Sequence, residues 1–68
     1  MVNVNKLKGK IVEKGLSIEK VAEIIGIDKS TLYRKLNAGG HDITIGEAHK
    51  IYNALDLAPY EAFEIFFI

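Results

Sequence analysis

Residues 17–37, S-I-E-K-V-A-E-I-I-G-I-D-K-S-T-L-Y-R-K-L-N, constrain the fold of this chain more than any other stretch. Ile18, Val21, Ala22 and Ile25 recur at i, i+3, i+4 and i+7, so they share one face of a short helix. Gly26 follows, and only glycine takes the left-handed conformation of a helix end without a steric penalty. Asp28 then offers a carboxylate to the first unpaired amides of a second helix. In that helix Leu32 and Leu36, one turn apart, form the buried face, and Lys29, Ser30, Tyr33, Arg34 and Lys35 point outward. Two helices joined by three residues must pack against each other, and the rest of the chain has to supply their core.

The chain has 68 residues, enough for one small domain spanning 1–68, and its 49% hydrophobic content suffices for one core. It has no cysteine, so packing alone must hold it together, in keeping with a reducing cytoplasm. Lysines at 6, 8, 10 and 14 interrupt any leader-like apolar run, and no stretch approaches the roughly 18 apolar residues of a membrane span. The net charge is zero, but it is unevenly spread. Residues 1–38 carry eight Lys or Arg against four acids, and residues 39–68 carry Lys50 against five acids. That asymmetry predicts one face suited to an anionic partner.

The first helix starts after Asn3 or Asn5, with Val4, Leu7, Ile11 and Val12 as its inward face. Gly9 inside it marks either a close backbone approach or a tolerated surface position. Ser17 caps the second helix and Glu19 complements its dipole. After the motif, Gly39-Gly40 marks a loop. Ile43 and Ile45 allow a short extended piece, but Thr44 and Glu47 match the capping box of a fourth helix, carried by Ile45, Ala48, Ile51, Tyr52 and Leu55. Pro59 opens a fifth segment, about residues 58–68, in which apolar groups cover nearly all sides. A helix with one side on the core and the other at an interface is the expectation, with a terminal strand as the alternative. The result is an all-α, compact five-helix fold.

A helix, a tight glycine turn and a second helix with basic outward residues form the helix-turn-helix arrangement that reads DNA. With Val21-Ala22, Gly26, Ile27 and Leu32 at their spacing, and I-G-E-A-H-K-I-Y-N-A-L-D-L over residues 45–57, the chain resembles the phage lambda repressor and Cro type of helix-turn-helix protein, the Xre-like group. The resemblance covers about residues 4–67. It implies a lambda-repressor-like domain acting as a transcriptional regulator, a phage or prophage Cro-like repressor that binds double-stranded DNA as a homodimer on a pseudo-palindromic operator. Lys29, Ser30 and Arg34 match the base-reading positions, and exposed Tyr33 joins them, with its ring for a thymine methyl or its hydroxyl for a phosphate. Arg34 is the most informative, because its guanidinium fork fits O6 and N7 of guanine.

Phosphate contacts are expected at Ser17, where free helix amides gather, at Thr31, Lys35 and Asn37, and at Lys10 and Lys6. Phe63, Phe66, Phe67 and Ile68 are the expected dimer contact. The chain departs from the resemblance at three places. Lys35 stands where the family has an apolar residue; either the helix is rotated, or Lys35 lays its stem on the core and sends its ammonium outward. Ile18 replaces a polar phosphate contact. The loop after the motif is poor in basic residues.

No cofactor or metal is expected: His41 and His49, with Asp42 and Glu47 nearby, fit no zinc spacing. No nucleophile–base–acid set or phosphate-cradling loop points to an enzyme. The alternative function is a protein-interaction module, or an antitoxin, built on the same fold.

Overall fold

The computed structural model describes residues 2–67, which form five α-helices and, among the described residues, no strand. They are α1 (Val4–Glu13), α2 (Ile18–Ile25), α3 (Lys29–Asn37), α4 (Ile45–Ala54) and α5 (Pro59–Phe66). The boundaries follow local chemistry. Asn3, rather than Asn5, caps α1 by accepting from the Lys6 amide at 3.0 Å. Ser17 accepts from the Lys20 amide at 3.0 Å and caps α2. Gly26 ends α2 at φ +82°, in the left-handed region. Asp28 caps α3 through the Ser30 amide at 3.1 Å. At α4 the capping box is complete: Glu47 N donates to Thr44 Oγ1 at 3.0 Å, and Thr44 N donates to Glu47 Oε1 at 2.9 Å. Pro59 takes the first turn of α5, where a missing amide breaks no helical bond.

α2 is the central helix. It packs on α1, α3 and α4, and α1 also packs on α5. The core joins Leu7 and Ile11 of α1, Val21, Ala22 and Ile25 of α2, Leu32 and Leu36 of α3, and Ile51, Leu55, Leu57, Ile65 and Phe66 beyond them. Gly40 is buried at φ +80°, and a Cβ there would lie 2.7 Å from the Val2 side chain. The loop after α3 therefore closes directly against the start of the chain, which is tied down where Asn3 N donates to the Ile65 carbonyl at 2.7 Å.

Three expectations change, and the alternative left open at Gly9 closes. Val12 is 75% exposed, so the inward face of α1 is Leu7 and Ile11, with Val4 at its edge. Ile45 is 87% exposed; it opens α4 but does not enter the core. A Cβ added at Gly9 would meet nothing within 4 Å, so this is a surface glycine and not a close approach. Phe66, expected at an interface, is buried with Ile65, whereas Phe63 and Phe67 face water. The periodicity of an all-apolar helix does not fix its phase; packing on α1 does. Ile68 lies outside the described residues.

Candidate nucleic-acid interface

Leu32 and Leu36 anchor α3 to the core, and this sets what its other faces show. Lys29, Ser30, Tyr33, Arg34 and Asn37 are exposed, and Thr31 is half-buried. Because the buried pair is at i and i+4, Ser30, Tyr33, Arg34 and Asn37 form one outward stripe (i, i+3, i+4, i+7). Lys29 lies beside its start. This stripe brings together the expected base-reading residues, with Asn37 at its far end.

Lys35 does not join them. Its ammonium turns back to α4 and donates to Glu47 Oε1 at 2.7 Å, to Glu47 Oε2 at 2.9 Å and to the Asp42 carbonyl at 3.2 Å. The Lys35 and Glu47 side chains are only 11% and 18% exposed. α3 therefore keeps its leucines inward, and Lys35 is satisfied by charge on Glu47, not sent into solvent. Burial pushes the Glu47 carboxyl up, but the Lys35 and Thr44 hydrogen bonds outweigh it and hold Glu47 below its ordinary value.

The other cations expected to meet DNA are also engaged. Lys29 donates to Glu19 at 3.0 Å, and that hydrogen bond raises the lysine above its ordinary value. Arg34 Nη1 lies 3.6 Å from Asp42 Oδ2, with both side chains mostly in water. Lys6 pairs with Glu64. Lys10 pairs with Glu13 and with Glu61, and only 15% of its side chain remains exposed. Its hydrogen bonds to Glu13 and Glu61 raise Lys10, and Lys10 in turn lowers Glu61.

Four of these bridges, Lys6–Glu64, Lys10–Glu61, Arg34–Asp42 and Lys35–Glu47, join the basic first part of the chain to the acidic second part. Much of the sequence asymmetry is thus spent inside the molecule. Among the described residues Lys8, Lys14 and Lys50 make no ion pair. Sequence reasoning missed the acidic partners because each lies in another element or loop; the excess of acids after residue 38 was the available signal.

At the start of α2, Ser17 Oγ accepts from the Lys20 amide and keeps its own hydrogen for a further acceptor. His41 and His49 are exposed, and among the described residues no group of three or more His, Asp or Glu gathers at metal-binding distance.

A second exposed surface lies on α5. Tyr60, Phe63 and Phe67, spaced i, i+3 and i+7, are 62–67% exposed, and the rings of Phe63 and Phe67 stack at 6.2 Å. Phe67 also edges a groove of about 330 Å³ that runs to Ile45, His49 and Tyr52 of α4.

Residues 8–39, which hold most of α1 with all of α2 and α3, are similar to the helix-turn-helix domain of resolvase. The match supports a helix-turn-helix DNA-binding domain and does not single out the lambda repressor and Cro type. No curated protein and no solved structure matches the chain.

Proposed function

We propose that the chain is a sequence-specific transcriptional regulator that binds double-stranded DNA as a homodimer, a Cro-like repressor of phage or prophage type. The observation that carries this reading is the polar outer stripe of α3 in a helix-turn-helix setting. α3 enters the major groove. Lys29, Ser30, Tyr33 and Arg34 meet base edges, Arg34 by forking onto guanine. The amides and hydroxyl at Ser17 meet one phosphate, and Thr31 and Asn37 others. Lys35 and Lys10 contribute little, because each ammonium is held by a carboxylate with only 11% and 15% of its side chain exposed, whereas Lys6, in an exposed pair with Glu64, can exchange to a phosphate.

Size and surface support dimerisation. The longest dimension of the described Cα trace is 28 Å, shorter than the spacing of about 34 Å between successive major grooves on one side of DNA. One copy thus offers one α3, and reading two half-sites takes two copies. Tyr60, Phe63 and Phe67, each about two-thirds exposed, present on the order of 400 Å² of apolar surface per copy, within the range of the largest and often functional patch on a small protein. A dimer bound at a pseudo-palindromic operator in the cytoplasm blocks polymerase by occupying the site.

Selection from a random duplex library, followed by gel shifts across salt, tests this. The expected result is an enriched two-half-site sequence whose affinity falls linearly, on log scales, as salt rises. No enrichment overturns the reading. The intramolecular pairing of the cations favours a second reading, a protein-interaction module on the same fold. A chain that stays monomeric in sizing chromatography and enriches no duplex would support it.

A further inference from the structure

Asp42 has no part in the reading above, yet its backbone is fixed. Its carbonyl accepts from Lys35 Nζ at 3.2 Å, and the same ammonium is clamped to Glu47 across the loop. The following residue is tied back as well, with Ile43 N donating to the Gly40 carbonyl at 3.1 Å. From this fixed point the Asp42 carboxylate reaches into water and comes nearest to Arg34 at Nη1, 3.6 Å away, beyond hydrogen-bond length. Among the described residues no hydrogen bond engages any nitrogen of the Arg34 guanidinium.

A guanidinium presents several donor edges, and a guanine needs one edge with two parallel N–H groups. A carboxylate nearest Nη1, with no hydrogen bond to the guanidinium, leaves the N–H groups of the Nε–Nη2 edge unbonded. It therefore restricts where the arginine points without consuming the donors that read a base. The same carboxylate repels phosphate, so it discourages Arg34 from settling on the backbone of an arbitrary sequence.

We infer that Asp42, held by the Lys35–Glu47 clamp, is a positioning residue that aims Arg34 at a base edge and so raises sequence discrimination. The inference rests on the DNA-reading role of α3. The effect is bounded by the strength of an exposed ion pair, which corresponds to at most about a fivefold change in an equilibrium constant.

The test is a double-mutant cycle on the full chain with Asp42→Asn and Arg34→Ala. Affinity is measured for the selected duplex and for duplexes changed at each base pair. Loss of one negative charge strengthens binding to every duplex, but that common gain cancels in the ratio of matched to mismatched affinities. The expected result is that Asp42→Asn lowers this ratio by about two- to fivefold at the base pair Arg34 reads, and at no other. In the Arg34→Ala background the ratio is unchanged by Asp42→Asn. Unchanged thermal midpoints and helical circular dichroism keep a folding defect from producing the same loss. An enriched duplex whose ratios are the same with and without the Asp42→Asn change overturns the inference alone. Failure to enrich any duplex overturns the DNA-reading role, and the inference with it.

Discussion

The outer faces of α3 and α5 are both exposed, but on different terms. On α3, Lys29 and Arg34 stand in water beside carboxylates of the same molecule, Glu19 and Asp42. Exposed pairs of this kind hold by about 1 kcal/mol or less, so their cations can exchange partners readily. On α5, Tyr60, Phe63 and Phe67 have no such arrangement, and water does not compensate exposed rings. The first surface is suited to a polar partner that competes for charges; the second is suited to being covered. Between them lies the core, and the largely enclosed Lys35–Glu47 pair ties α3 to α4 as Lys10–Glu61 ties α1 to α5.

This contrast can be broken at its apolar end most sharply. Phe66→Ala opens a cavity beside Ile65 and should lower stability by about 3–5 kcal/mol in urea denaturation. Phe67→Ser, the next residue but exposed, should change the stability of the monomer by less than about 0.5 kcal/mol while weakening self-association. Equal losses at both positions would mean that the α5 surface belongs to the fold and not to an interface.

Lys35→Ala comes next. It leaves the largely enclosed Glu47 without its cation, between the limits for exposed and buried pairs, so a loss of roughly 1–3 kcal/mol is expected. Lys35→Met, which keeps the stem over the core, should lose less than Lys35→Ala.

Acid should weaken the same region. The folded state holds Glu47 and Glu61 below the ordinary carboxylate value of 4.5, so as pH falls the unfolded chain takes up protons first. Stability is therefore fully present above about pH 4.5 and declines below it, and Glu47→Gln should flatten the decline in denaturant midpoint measured against pH. The smallest effect on stability is expected at Arg34→Ala, within about 0.5 kcal/mol, even though that change should relax preference at one base pair by about 1–3 kcal/mol in competition binding.

The parts of the fold legible in the sequence are those encoded within a few residues. Ser17, Asp28 and the Thr44–Glu47 box cap helices that begin beside them, and Gly26 ends the helix that precedes it. Leu32 and Leu36 likewise set the buried side of α3, and with it the exposed positions of Lys29, Ser30, Tyr33 and Arg34. What was not legible depends on chain brought together from a distance. Lys35 meets Glu47 twelve residues on, and Lys6 meets Glu64 at the other end of the chain. Val12 and Ile45 fit helical spacing yet face water, because a periodic pattern marks a stripe without saying how wide the neighbouring helices cover it. Phe66 shows the same limit where every side of a helix is apolar.

On the proposed function α3, and not the α4–α5 surface, meets DNA. Backbone amide shifts of the labelled chain titrated with its selected duplex test this most directly, since the two faces report separately. The expected result is that the largest changes fall at the start of α2 and along residues 29–37, and that they shrink as salt is raised. Changes confined to α4 and α5, or none at any salt concentration, would contradict it.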